Sequence, residues 1–499
     1  MSFQIRVLTA LLSIGTSSAV IGAEGLTESE NRSLTTFANR LFQLANHDQK
    51  SNLILAPSSL FECLAVLETG AKGETEAAIR DALGLRMNSA EIPRLIRKLH
   101  ESGAPAAYQF DVLVRDNDGY GVKVVEDPAE QSATYGAGIQ AGDLIFTVNG
   151  APVQKAGAFI EACRKSNGHV SLSGFSRNSG EPFQNVDVPL KRRRLLSAPR
   201  QQWMASSATA FLIDRTAGNV SGFAESLEAN FSIKTFSIDF KSLEKAEPLV
   251  ADYFSERLGR PTELSKLSGQ IPAATAFLLV NVASLDAQWA RRFSTEDVKT
   301  GSFLTPDQEI RIPFMNLTAA FVTWEDDDAS FIQLPYRDTD LSMYIVLPRQ
   351  RDGWKAFTKD SRVSLTSRFR SRPNQPKMVD LQLPRFRVSH QGSLKDLLLA
   401  LGLEKPFDNS ADFSGIQERN RLRLEDIRQQ AFIEVNETGT KAGAKTEIIG
   451  VTKSVKNPNV VPFQVRHPFF VVICGDDQVP LFMARVLHPE QTKSSEEHR

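Results

Sequence analysis

A change of texture in the middle of the chain limits what it can fold into. From Glu30 to Ser102, apolar residues recur at helical spacing, as in "ENRSLTTFANRLFQLANHD", "SSLFECLAVLETGAKGETEAAIRDALGL" and "EIPRLIRKLHES". From Ala107 to Arg193 the chain alternates like a strand protein and is rich in Gly and Asp, from "YQFDVLVRDNDGYGVKVVED" to "FQNVDVPLKRRR". After about Leu195 a longer mixed pattern returns. A chain of 499 residues is too long for a single core. The sequence therefore predicts a host domain, 24–106 plus 194–489, interrupted by a second domain at 107–193.

Apolar residues make up 41% and charged residues 23%, which are globular proportions. The formal net charge of -1 gives no global field to draw nucleic acid or an acidic membrane surface. Arg6 precedes the apolar, small-residue run "VLTALLSIGTSSAVIGA". This pattern predicts a signal peptide over 1–23, cut near Ala19 or Ala23, and hence a secreted, extracellular protein. No other stretch is long and apolar enough to span a bilayer. The three cysteines, Cys63, Cys163 and Cys474, lie far apart without CxxC spacing, so buried free thiols are expected in place of disulfides or a zinc site. Glycosylation sequons occur at Asn31, Asn219, Asn230, Asn316 and Asn436. The tail 490–499, "EQTKSSEEHR", has no core-forming residue and is expected to be disordered.

Near the C-terminus, "ETGTKAGAKTEIIGVTKS" spans Glu437 to Ser454. Thr440, Ala442, Ala444, Thr446, Ile448 and Gly450 are small or apolar, while Lys441, Lys445 and Glu447 fall between them. That is the period of a strand with one buried and one wet face. Yet Ala and Gly are poor strand formers.

The middle segment resembles a PDZ domain through "DGYGVKVV", "AGIQAGDLIFTVNG" and the helix-like "QKAGAFIEACRKS". Gly119 and Gly121 let the backbone amides of Gly119, Tyr120, Gly121 and Val122 converge, and such a nest holds a carboxylate. The resemblance implies that a C-terminal peptide adds as a strand beside Val122 and Val124, under a helix presenting Ala156 and Ile160. Ala156 stands where many PDZ domains carry His, which favours an apolar ligand side chain.

The flanks resemble a serpin, a member of the serine protease inhibitor family. The matching segments are "SNLILAPSSLFECLAVLETGAKGET", "TAFLLVNVASLDAQWARRF" with Asn281 and Trp289, "IQLPYRDTDLSMYIVLP", "KPFDNSADFSGI", "VPFQVRHPFFVVI" and "LFMARVLHP", in the family's order. The resemblance implies an α+β fold with a large mixed sheet A, further sheets, about nine helices and a mobile reactive-centre loop, here 437–462. The insert would enter after the segment resembling helix D. The hinge would be Glu437, Gly439, Thr440, Ala442 and Ala444, exposed in the native state. After cleavage the loop would slide between strands that are already close-packed, so one face must be small.

Counting from the hinge puts the reactive bond at Lys453–Ser454. The loop is about four residues longer than usual, which leaves Lys456–Asn457 as the alternative. The implied partner is a trypsin-like serine protease held as a covalent acyl complex, and the chain itself would be a monomer and no enzyme. A non-inhibitory serpin acting as a scaffold through its PDZ domain is the alternative. A peptidase would need a Ser nucleophile in a Gly-rich loop, and no GxSxG or GxSGG surrounds "RNSGEP".

Three residues depart from the family pattern: Ala56 for Ser, Gln429 for His and Lys441 for Glu. No cofactor or metal is implied. A polyanion such as heparin is a weaker expectation, resting on Arg94, Arg97, Lys98 and Lys191 to Arg194 near the seam of the insert.

Overall fold

The computed structural model describes residues 26–489 except 47–50, 102–103, 105, 110–113, 118–120, 126, 129–131, 167, 195–203, 260–270, 360–363, 374, 419–421 and 442–459. The expected signal peptide, the tail and most of the reactive-centre loop lie outside the described residues. Ten α-helices occur among those that are described, against the nine or so expected.

The first helix, Glu28–Ala45, starts where Thr27 and Glu30 cap each other. Glu30 N–H donates to Thr27 Oγ1 at 3.2 Å, and Thr27 N–H donates to the Glu30 carboxylate at 2.6 Å. The next helix, Pro57–Gly70, is apolar on nearly every side, as a helix in the centre of a core must be. It ends where Gly415 passes so close that a Cβ there would sit 2.8 Å from the Gly70 carbonyl oxygen.

Above this helix lies a seven-stranded mixed sheet. Ala205–Asp214 runs parallel to Lys234–Ile238 and antiparallel to Phe277–Leu285. Phe277–Leu285 is parallel to Leu424–Val435, which is antiparallel to Phe386–Ser393. All nine residues of "FLLVNVASL" are buried, because both faces of this strand are covered. Strand alternation divides them. Phe277 and Leu279 join the core around helix Pro57–Gly70, whereas Leu278, Val280 and Val282 pack with Val250 and Phe254 of helix Glu247–Leu258. A nine-stranded sheet completes the host; Pro480–Val486 lies between the edge strand Leu53–Leu55 and Phe469–Cys474, and every residue of these two longer strands is buried.

The insert is a separate body of structure. Val114–Asp116, Val122–Val124, Leu144–Val148, His169–Phe175 and Pro182–Pro189 lie in this order in a six-stranded sheet, with Ala151–Pro152 paired to Leu144–Val148. Helix Ala156–Lys165 closes its core of Val122, Val124, Ile145, Phe159, Val170 and Leu172, which is distinct from the host clusters. A ribbon in which Ala106–Gln109 pairs antiparallel with Lys191–Arg194 brings the two ends of the insert side by side. Paired ends let a domain sit inside another without breaking it. Cys63, Cys163 and Cys474 are free and buried. Among the described residues no helix is long and apolar enough to cross a membrane.

Candidate functional site

The seam between Phe277–Leu285 and Leu424–Val435 is where an extra strand would have to enter. In its lower part the two strands pair directly, from Phe277 with Leu424 to Ala283 with Ala431, and nothing lies between them. A buried polar network ties this seam to the helix beneath. Gln429 Nε2 donates to Asn281 Oδ1 at 3.1 Å, to Ser59 Oγ at 3.3 Å and to the Ala56 carbonyl at 3.2 Å. Ala56 N–H returns a bond to Gln429 Oε1 at 3.0 Å, and Ser59 Oγ donates to Asn281 Oδ1 at 2.8 Å. Asn281 Nδ2 reaches across to Thr209 Oγ1 at 3.1 Å and the Ala208 carbonyl at 3.2 Å. Three strands and one helix are thus fastened at one point, which spreading the sheet must undo. An amide at 429 supplies both a donor and an acceptor without a titratable proton.

The upper part is different. After Val435 the chain turns at Asn436, whose Oδ1 accepts from the N–H of Thr438 at 3.0 Å and its hydroxyl at 2.7 Å. It then descends as a short strand, Gly439–Lys441, wedged between two others. Thr440 lies opposite Val435 on one side and Ala287 on the other, and Gly439 lies opposite Gln288. The expectation of an exposed hinge is corrected here. Glu437 is 7% exposed and Thr440 is fully buried, because the strand ends at Val435 and Gln288 leave a gap that the hinge fills. The seated hinge depends on a residue without a side chain at 439. A Cβ on Gly439 would overlap the Ala287 carbonyl and lie 2.8 Å from Gln288 Cα, so only glycine fits at this depth.

Residues to which the sequence assigned no role hold the hinge. Tyr336 and Trp289 stack face to face, 4.7 Å between ring centres and 8° apart. Tyr336 Oη meets Thr440 Oγ1 at 2.6 Å, Trp289 Nε1 donates to the Asn436 carbonyl at 2.9 Å, and Trp289 N–H donates to the Thr438 carbonyl at 3.0 Å. Arg385 Nε donates to Glu437 Oε1 at 2.6 Å. Burial pushes the Tyr336 phenol far above its usual range, so it stays protonated. "IQLPYRDTD" signalled Tyr336 only as part of a family segment. Its contact with Thr440 is long-range and left no mark in either stretch. Ala442, Ala444, Lys453, Ser454, Lys456 and Asn457 lie outside the described residues, as does the Lys441 side chain.

In the insert, the expected peptide edge beside Val122 and Val124 does not exist. Val122–Val124 is bonded on both sides, to Val114–Asp116 and to Leu144 and Ile145. Gly121, at φ 83°, serves the turn that joins the first two strands, where Asn117 N–H donates to the Gly121 carbonyl at 3.3 Å. Gly119 and Tyr120 lie outside the described residues. Helix Ala156–Lys165 packs against Ala106–Gln109, Val114–Asp116 and Leu144–Val148. Asp116 Oδ1 accepts from Ala156 N–H at 2.7 Å and pins the helix start to the strand end. Among the described residues, the edge of the insert's main sheet beside this helix is the outer edge of Val114–Asp116, which has no paired strand. Ala156 is half-buried and Ile160 is 42% exposed.

Two further expectations change. Lys98 is buried against Glu30, with Nζ 3.1 Å from Oε2, and Arg94 faces the same carboxylate at 4.0 Å. Arg94 and Arg97 are the exposed cations of this helix, and Arg94 is shared with Glu30, which weakens the case for a polyanion surface. Of the sequons, Asn219 and Asn230 are exposed. Asn31 Nδ2 is spent on the Asp477 carbonyl at 2.5 Å, and Asn316 Nδ2 on the Asp297 carbonyl at 2.6 Å. Asn436 uses its side-chain oxygen to form the hinge turn.

The family description "Serpin (serine protease inhibitor)" matches residues 32–117 and 178–489, and its gap falls inside the inserted sheet. Rat neuroserpin (Rattus norvegicus) is 27% identical over 354 residues, 68% of this chain and 82% of its own length. Serpin-Z1C of Triticum aestivum is 29% identical over 296 residues, 56% of this chain and 74% of its own. Among solved structures, Serpin48 of the insect Tenebrio molitor superposes with a TM-score of 0.65 at 18% identity, covering 93% of this chain and 100% of that one. Thyroxine-binding globulin in complex with thyroxine superposes with a TM-score of 0.61 at 17% identity, covering 92% and 99%. With a closed sheet, a seated hinge and this match along both flanks of the insert, the chain belongs to the serpin family.

Proposed function

We propose that the protein is a secreted inhibitor of trypsin-like serine proteases that acts as a suicide substrate, with Lys453–Ser454 as its reactive bond. One observation carries this reading: the register in which the hinge is already seated. Thr440 lies opposite both Ala287 and Val435. Continued at the same pairing, Ala442 falls between Leu285 and Ile433, Ala444 between Ala283 and Ala431, and Thr446 between Asn281 and Gln429. The buried face of the entering strand is then the small-residue face, and Lys441, Lys445 and Glu447 remain in water, as the cost of burying unpaired charge requires. At position 446 a threonine hydroxyl can take over part of the Asn281–Gln429 bonding that the new strand displaces.

The mechanism follows from a competition of rates. A protease attacks the Lys453 carbonyl and forms an acyl-enzyme, releasing the amine of Ser454. The freed strand then advances about 45 Å down the seam, at about 3.3 Å per residue, carrying the protease before water reaches the ester. Lys453 suits a specificity pocket that ends in a carboxylate. The secretory reading rests on residues 1–23, and Asn219 and Asn230 are the sequons whose exposure suits a glycan. The insert is read as a PDZ-like peptide-binding domain whose accepting edge is Val114–Asp116.

The test is incubation with trypsin followed by a denaturing gel. A covalent complex that survives boiling, lost in Lys453→Glu, supports the proposal. A complex that persists in that variant moves the bond to Lys456–Asn457 or elsewhere. Clean cleavage without a complex supports the second reading, a non-inhibitory scaffold or carrier. That reading draws on the structural likeness to thyroxine-binding globulin.

A further inference from the structure

Among the described residues, the sheet of the insert ends at Val114–Asp116, and that edge carries two facing cations. Arg115 lies directly opposite Lys123, so the two side chains share one face. Like charges placed opposite each other destabilise a strand pair. Arg115 is exposed and Lys123 half-buried, and among the described residues neither is joined to a carboxylate. The opposite face of the same strand carries the reverse charge. There Asp116 caps helix Ala156–Lys165, 2.7 Å from Ala156 N–H, beside the buried Val114.

We propose that this edge selects extended peptides in which acidic residues alternate with apolar ones, and that Arg115 and Lys123 read the acidic positions. The inference rests on the reading of the insert as a peptide-binding domain. A strand added beside Val114–Asp116 presents alternate side chains to the two faces. Those on one face come beside Arg115 and Lys123, and a carboxylate there relieves their mutual repulsion. Those on the other face meet the helix that carries Ile160, 42% exposed, where Asp116 repels a second carboxylate and an apolar group gains by burial. Backbone bonding to the edge supplies sequence-independent affinity, and the two cations supply the choice.

The experiment uses the full chain and three fluorescein-labelled octapeptides, alternating Val with Glu, with Gln or with Lys, followed by anisotropy at low and high salt. The Val-Glu peptide is expected to bind about fivefold more tightly than Val-Gln, with the advantage shrinking in salt. Arg115→Glu/Lys123→Glu is expected to reverse the order in favour of Val-Lys. Thermal unfolding and the covalent complex with trypsin should be unchanged in that variant, which shows that it folds. Equal binding of the Glu and Gln peptides overturns the charge selection while leaving a peptide-binding insert. Binding of none of the three overturns both readings. A Glu preference that survives the double reversal puts the acid reader elsewhere and overturns the assignment. A dimer in sedimentation that the double reversal dissolves would give the edge to a second copy of the chain, and also overturns it.

Discussion

One seam holds two arrangements at once. Below Ala283 and Ala431 the central strands bond to each other, with Gln429, Asn281 and Ser59 fastening them. Above, the hinge already occupies the place of a strand between Val435 and Ala287. The lower half resists entry and the upper half has admitted it. On the inhibitor reading proposed above, the difference teaches that insertion would need no nucleation. It would only have to be propagated, one ladder pair exchanged for two at each step, past a single polar fastening.

The strongest way to test this contrast is to finish the insertion. Cutting Lys453–Ser454 should fill the lower seam with new backbone bonds, each worth about 1 kcal/mol net. Summed over some ten bonds, this should raise the melting temperature by about 20 °C in a calorimeter. A cleaved chain that melts where the intact one does would end the account. Next in size is loss of the fastening. Gln429→Ala strips partners from Ala56, Ser59 and Asn281, costs about 3 kcal/mol and lowers the melting temperature of the uncut protein by about 6 °C. The same variant should shorten the lag before insertion, followed by the emission of Trp289.

A smaller effect is expected at the hinge. Tyr336→Phe removes one partner of Thr440 and should cost about 1 kcal/mol. It should also slow complex formation with trypsin, while Thr440→Val combined with it adds little more, because the two groups share one bond. The smallest effect concerns acid. His390 pairs across the ladder with Ala431, and burial holds its pKa below the ordinary value. The native state therefore binds this proton later than the unfolded chain does, so stability is lost as pH falls through about 6.5, the ordinary histidine value. Burial also lowers the pKa of His467, despite its contact with the Pro468 carbonyl. Melting scans from pH 7.5 to 5.5 should slope less in His390→Gln. Because residue 429 is an amide, the fastening itself should add nothing to that slope.

The host was readable because its signals are local and repeated. "TAFLLVNVASLDAQWARRF" matches a sheet-strand segment of the family, and Phe277–Leu285 within it is a strand. The alternation after Gly439 gave the face on which Thr440 is buried. What the sequence did not carry was depth. Whether the hinge waits outside the sheet or within it depends on Tyr336 and Trp289, which are remote in the chain and meet it only in space. The insert failed differently. Period-two patterning tells which way side chains point but not which strand lies at the edge. The glycines of "DGYG" suggest a carboxylate nest; Gly121 has the positive φ of 83° that only glycine takes up readily, and Gly119 lies outside the described residues. The sequons were legible as motifs, but the amides of Asn31 and Asn316 are already committed to carbonyls.

Gly439 has a consequence for how such a hinge can vary. Any other L-amino acid brings at least one more carbon, and that carbon has no room beside Ala287. Every amino-acid replacement reachable by one base change from a glycine codon is therefore a large step, and no gentler substitute exists. Descendants of this chain can adjust the depth of seating through the aromatic pair or the arginine clasp, but at this position they must keep the residue or give up the seat.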